Sequence, residues 1–393
     1  MKFFSFILGF ILLSACGQKM YEVTNPSGID IKDKAFVLFR NEVAPWITDS
    51  IGNKKVVARL GSGDLLPSQC DDIDGDGRWD EFLFMCDLKA GARQKIQFET
   101  VDAMPVFPVR TNIRFGRMAK PFEEVSGDLR MKTNDTKFSA PVYQMEGPAW
   151  ENDKIAFRNY YDARNGIDIF GKLVPEMVMD SVGVNGREYH TLHDWGMDIL
   201  KVGNSLGAGA IAIAVGDSLY RVGPCEEGTY RQISEGPVRS LLELTYKNVP
   251  AGDRRYDVIH RIAIYAGDHF YRSRVWVKGL KGDENIVTGI VNLHNIKGDS
   301  ISFEKRKIMF SSGNQGFSGE VLAMGVIVPD SVFVNYSEAP DSGSGIVSTH
   351  LVYMKLKENQ PTCWRFAALW ENRDPMVKDK NYLVGILKES ALR

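Results

Sequence analysis

The chain has 393 residues, with 48 Lys and Arg against 50 Asp and Glu, 44% hydrophobic and 11% aromatic. The formal charge of −2 leaves no excess of basic residues for a nucleic-acid-binding face, so no nucleic-acid partner is expected. The apolar content supports a sizeable core, and the length allows about two domains.

The first residues read as a targeting segment. Lys2 is a positive start, and Phe3 to Leu13 is apolar but too short to span a bilayer as a helix. Leu13-Ser-Ala-Cys16 then places small residues before a cysteine, as in a lipobox. Residues 1–15 are expected to be a lipoprotein signal peptide, with Cys16 as the lipidated first residue. An ordinary signal peptide with a chance cysteine is the alternative. The first reading makes the protein periplasmic and lipid-anchored to an envelope membrane.

Residues 16–103 read as a small N-terminal β-sandwich. Inside it, Asp72, Asp74, Asp76 and Asp80 are spaced like the oxygen ligands of a calcium loop, with Gly77 free to make the sharp turn. Leu83 stands where an EF-hand has its bidentate glutamate. A structural calcium ion and a solvated acidic turn are both compatible with this pattern. Cys70 and Cys86 flank a hairpin and could pair or remain buried thiols; with Cys225 and Cys363 they match no zinc spacing. Met104-Pro-Val-Phe-Pro108 is a stiff linker.

Residues 104–393 alternate in the manner of many strands of a large sandwich, so the fold class is all-β. Strands are expected at Ser240–Tyr246, Glu284–Leu293, Ile301–Phe310, Val321–Tyr336, Gly345–Lys357 and Trp364–Trp370. Val258 to Val277 is the clearest case, an antiparallel hairpin around a Gly267-Asp268 turn. Its apolar face holds His260, which reads as structural. Its other face sets Arg261 opposite Arg274, with Arg272, Tyr265, Phe270 and Trp276 alongside. Opposed like charges destabilise a sheet, so a neighbouring carboxylate or an anionic ligand is expected between them. Short helices are expected near Lys120–Val125 and His193–Leu200.

Between Glu146 and Gly209 the chain mixes aromatics, carboxylates and cations too densely for an unpaired core. A polar, anionic ligand such as a sugar acid would require such a mixture. Gly203-Asn-Ser-Leu-Gly207 matches a nucleophile elbow, but the following residues read as strand rather than helix. The glycines more simply allow a close backbone approach. His190 and His193 would share a face, and a metal, only on a helix. Acid–base use of one imidazole and a packed structural role are the other readings.

Three motifs carry a family resemblance: Gly147-Pro-Ala-Trp-Glu-Asn-Asp153, Arg164-Asn-Gly-Ile-Asp-Ile-Phe-Gly-Lys172 and Asp194-Trp-Gly-Met-Asp-Ile-Leu-Lys-Val-Gly203. Gly236-Pro-Val-Arg239 adds to them. With the lipoprotein start and the Asp-rich loop, they resemble bacterial envelope proteins filed as domain of unknown function 4861. The resemblance covers nearly the whole mature chain. It implies a galactose-mutarotase-like β-supersandwich after the small sandwich, and a place in polysaccharide degradation. It also suggests an oligosaccharide dehydratase or lyase acting on uronic acids such as those of ulvan.

That chemistry needs a cation on the sugar carboxylate, a base for the C5 proton and an acid for the departing oxygen. Arg158, Arg164 or Lys201 would supply the cation, arginine best because its fork matches a carboxylate. His190 or His193 would be the base, and Tyr160, Tyr161 or Tyr189 the acid. Trp150 and Trp195 would stack on sugar C–H faces, while Glu151 and Asp198 bind hydroxyls. The same residues leave three alternatives: a glycoside hydrolase pairing Glu151 with Asp194 or Asp198, a mutarotase-like epimerase, or a non-catalytic oligosaccharide-binding lipoprotein.

Overall fold

A computed structural model describes residues 19–47, 51–118, 122–131, 142–184 and 188–393. The expected signal segment with Cys16, and Lys120 of one expected helix, lie outside these residues.

The fold is all-β. The first strands pair only among themselves. Tyr21–Thr24, Arg93–Val101, Lys55–Leu60 and Leu65–Leu66 form one antiparallel sheet. Ile31–Phe39, Glu81–Leu88 and Ser68–Asp71 form the other. Val56, Ala58, Ile96 and Phe98 meet Phe82, Phe84, Cys86 and Leu88 in their common core. From Glu81–Leu88 the alternate residues Leu83 and Met85 point the other way, into a second apolar cluster with Val238, Leu241 and Ala263. Burial on both faces explains why this strand reads as an almost continuous apolar run. Cys70 and Cys86 remain free thiols, because Cys70 pairs in register with Phe82 rather than with Cys86.

The larger part is a supersandwich. Nine antiparallel strands run in the order Gly127–Met131, Glu227–Ser234, Arg239–Ala251, Arg254–Tyr265, Phe270–Lys278, Thr362–Trp370, Val321–Pro329, Arg306–Asn314, Asp299–Phe303. One face of this sheet shares its core with two five-stranded sheets. The first of these contains Gly196–Asp198, Ile167–Lys172, Ile155–Asn159, Ala149–Asn152 and Thr111–Arg114. The second contains Ser218–Arg221, Ala212–Val215, Asn285–Val291, Thr349–Lys355 and Phe333–Glu338.

The outer face of the nine-stranded sheet meets the N-terminal sandwich at one end and the helix Lys380–Leu392 at the other. The sequence reading missed this helix. Asp379 caps it, accepting a hydrogen bond from the Tyr382 N–H, and Leu383, Leu387 and Ala391 line its buried stripe. One apolar residue per turn is a weak periodic signal.

The central hairpin folds as expected. Arg261 stands opposite Arg274, and the Glu243 carboxylate from the next strand lies 2.6 Å from Arg261. The expected run Ile301–Phe310 is itself a hairpin, turning at Glu304 and Lys305 with φ of 45° and 58°. The helix expected near His193–Leu200 is instead the strand Gly196–Asp198. Met197 faces the core while Asp198 faces away, a period of two that a helix cannot satisfy. At the other expected helix, Glu123 and Glu124 pair as a short strand with Gly116 and Arg117.

Candidate functional site

The five-stranded sheet containing Ile155–Asn159 decides where the dense polar block goes. Trp150, Phe157, Ile167, Ile169 and Met197 enter the shared core. Strand alternation therefore sends Glu151, Arg158, Asp168, Lys172 and Asp198 to the opposite face. That face is not open sheet. Met145, Val178, Met179 and Val182 cover it from neighbouring loops, so its charges are buried and must pair.

Arg158 is the hub, with only 1% of its side chain exposed. It pairs closely with the Asp168 carboxylate, lies 3.6 Å from Asp198 and donates to the Tyr160 hydroxyl at 3.0 Å and the Met145 carbonyl at 2.6 Å. Tyr160 donates to the same Asp168 oxygen at 3.0 Å. Asp198 continues outward to His190, whose Nδ1 is 3.3 Å away. His190 is 45% exposed, rests against Tyr189 and stacks on Phe317 at 5.6 Å. On the other side Arg164 lies over the Tyr160 ring at 4.0 Å. It holds Asp162 at 2.5 Å and Glu146 at 3.3 Å. A chain of charges thus runs from a buried arginine to a half-exposed imidazole and a part-exposed guanidinium.

Its electrostatics follow from charge count. Arg158 sits between two buried carboxylates, so the group carries one excess negative charge unless a proton is added. Burial first, and then the Asp198 charge, push the Asp168 carboxyl well above the usual range, against the pull of Arg158. The hydrogen bond to Asp198 is the main cause holding His190 above its ordinary value. Burial keeps the Tyr160 and Tyr189 hydroxyls protonated well into the alkaline range.

Of the residues expected from sequence, Arg158, Arg164, Tyr189, His190 and Asp198 come together. Trp195 and His193 form an adjoining patch. Trp195 packs on Phe170, while His193 stacks on Trp195 and its Nε2 contacts the Glu188 carbonyl at 2.7 Å. The two histidines therefore bind different partners, and a shared metal does not fit them.

Several expectations are corrected. Trp150 is 1% exposed, packed between Phe157 and Tyr271, so it offers no face to a sugar. Glu151 is fully buried, held by the Lys172 ammonium at 2.6 Å and by the Val178 and Met179 N–H groups. It anchors the covering loop and cannot flank a glycosidic bond. Tyr161 is buried, with its hydroxyl on the Gly228 carbonyl. Lys201 is exposed and joins none of these contacts among the described residues. Ser205 is fully buried with its hydroxyl on the Val202 carbonyl, which rules out the nucleophile elbow. Gly207 instead permits a close approach, since a Cβ there would lie 2.2 Å from the Ile167 carbonyl oxygen.

Sequence reasoning passed over Asp168, Glu146, Asp162 and Phe317 as site residues. Asp168 carried a usable signal, a lone carboxylate between Ile167 and Ile169 in a strand. Phe317 arrives from a distant loop and left no trace near the motifs.

The Asp-rich segment joins Ser68–Asp71 to Glu81–Leu88. Asp72, Asp74 and Asp80 bring oxygens within 4.8 Å of one another, and Asp76 stands outside this group. Asp72 accepts from the Gly75 and Gly77 N–H groups, and Asp80 from that of Ile73. These bonds shape the loop by themselves, as Asx turns do.

A curated relative, "Uncharacterized protein P7" of Formosa agariphila, is 26% identical over 254 residues. That match covers 60% of this chain and 57% of the relative, so the chain spans little more than half of that protein. Two solved structures overlap most of the chain at 7% identity. An alpha-mannosidase from Enterococcus faecalis V583 has a TM-score of 0.41 over 94% of this chain and 45% of its own. A protein of glycosyl hydrolase family 38 from Enterococcus faecalis has 0.40, over 93% and 46%. The family model described as "Domain of unknown function (DUF4861)" matches residues 23–392, and the chain belongs to that family.

Proposed function

We propose that the protein is a carbohydrate-active lyase of the dehydratase type. It eliminates across C4–C5 of a uronic acid at the non-reducing end of an oligosaccharide, during polysaccharide degradation. The observation that carries this reading is the half-exposed His190 imidazole, resting on Tyr189 and braced on Asp198, which is linked through Arg158 and Tyr160 to the part-exposed Arg164 guanidinium.

Arg164 takes the sugar carboxylate. Its tighter partner is Asp162, and Glu146 at 3.3 Å is the one that exchanges for substrate. Neutralising the carboxylate acidifies the C5 proton, which neutral His190 removes. The C5–H electrons form the C4=C5 double bond as the C4–O bond breaks. The departing oxygen takes a proton from Tyr189 or Tyr160 and leaves as water. Arg158 touches no substrate; it holds Asp168 and Asp198 in place. Trp195 offers its part-exposed ring to the sugar. The same reading places the protein in the periplasm, anchored through lipid on Cys16.

The test is to incubate the protein with uronate-ended oligosaccharides and follow the ultraviolet absorbance of the new conjugated double bond. Unsubstituted protein should generate it. His190→Gln should abolish turnover while retaining most of the affinity. Binding without any double bond, equal in both proteins, would instead identify a sugar receptor.

A further inference from the structure

We infer a second saccharide site, a groove of about 1070 Å³ between the N-terminal sandwich and the outer face of the nine-stranded sheet, which binds an acidic oligosaccharide without reacting with it. It rests on the reading above only for the class of ligand.

The sheet wall of this groove is charged by register. Arg261 and Arg274 line it, in a row with Arg231 and Glu243 that stands in register across four successive strands. Glu243 holds Arg261 at 2.6 Å and Arg231 at 3.5 Å, so one carboxylate serves two guanidiniums. Arg274 is exposed and, among the described residues, has no carboxylate at ion-pair distance. Like charges directly across a sheet cost stability, and an anion over Arg274 relieves that cost. Trp276 lies beside them on the same face, its ring centre 5.4 Å from the Arg261 guanidinium carbon and 5.6 Å from that of Arg274.

The opposite wall is of a different kind. Phe39 is 55% exposed there, Asn41 adds an amide, and Arg40, Asp74, Asp80 and Glu81 add one cation and three carboxylates. Glu243 answers Arg261 and Arg239 answers Glu81, so Arg274 on the sheet wall and the hydroxyl acceptors on the other suit a sugar acid held edgewise. Its carboxylate meets Arg274, its hydroxyls meet Asp74 and Asn41, and its C–H faces lie on Trp276 and Phe39. Among the described residues no histidine, tyrosine or lysine lines the groove, and of its carboxylates Asp80 accepts from the Ile73 N–H and Glu81 pairs with Arg239, so binding rather than elimination is assigned to it. The volume exceeds what a single sugar fills, which favours a short chain.

The probe is trigalacturonate, with cellotriose as the neutral control. Both are titrated calorimetrically into the full chain carrying Arg164→Ala and His190→Gln, which removes the proposed catalytic contacts. Trigalacturonate should bind, and more weakly as salt is raised. Arg274→Gln and Trp276→Ala, each added singly, should weaken it about tenfold or more, the scale of one lost charge-assisted contact. Both substituted side chains reach solvent, and thermal melts check that the variants fold. Cellotriose binding as tightly as trigalacturonate, or affinity indifferent to both substitutions, overturns the proposal. The two readings fail separately. Arg274-dependent binding, together with no double bond formed by the unsubstituted protein, leaves the groove and removes the lyase; turnover by the unsubstituted protein with binding indifferent to Arg274 does the reverse.

Discussion

At the scale of single residues, protonation is set by partners. Asp198, 2% exposed, lies 3.3 Å from the His190 ring, and its hydrogen bond favours the protonated imidazole. His190 therefore holds its proton above the ordinary histidine range, and a base that must be neutral gains activity as pH rises through that raised value. Asp198→Asn removes the main cause. The His190 titration, followed by nuclear magnetic resonance, and the acidic limb of the rate profile should both move to lower pH. An unmoved titration would show that Asp198 does not set it. His260 behaves oppositely. Burial pushes it down to about 3, and it lies 2.9 Å from the Ser273 hydroxyl. The unfolded chain then binds the extra proton first, so stability is lost as pH falls below about 6.5. At pH 5 this single group should cost about 2 kcal/mol relative to neutral pH. His260→Gln should flatten the urea-measured loss between the two by that amount.

At the scale of elements, the helix Lys380–Leu392 closes one end of the outer sheet face. Leu387 is fully buried there, and a Cβ on Gly325 in the strand beneath would lie 2.9 Å from its Cδ2. Leu387→Ala should cost about 2–5 kcal/mol, the range for deleting a buried leucine, read from the shift of the urea midpoint. The helix left little mark on the sequence because its buried stripe is so narrow. The central hairpin was legible for the opposite reason. Two runs of period two joined by a Gly-Asp turn fix both pairing and register, so the Arg261–Arg274 opposition could be read before the fold was known. The supposed helix at His193–Leu200 went wrong because polar, turn-rich residues hid a strand of only three residues.

At the scale of the whole molecule, Arg239 ties the two parts of the chain together. It rises from the nine-stranded sheet, pairs closely with Asp71 and lies 2.7 Å from Glu81, while Gln69 donates to its carbonyl at 2.8 Å. Arg239→Ala would leave Asp71 and Glu81 buried without their cation. We expect a loss of about 3–5 kcal/mol, measured by chemical unfolding. Replacement of Arg255, an exposed residue on the same sheet, should be near neutral.

The sequence by itself determined the all-β class, the hairpin with its facing arginines and the acidic loop between two strands. Each follows from alternation or turn chemistry within a few residues. Only the tertiary structure decided which charges are buried and what pairs with them. Trp150 and Glu151 occupy adjacent positions on one strand, yet the first vanishes into the shared core and the second under a loop cover. Alternation separates the two faces of a strand; what packs on each face comes from segments far along the chain, and burial is set there.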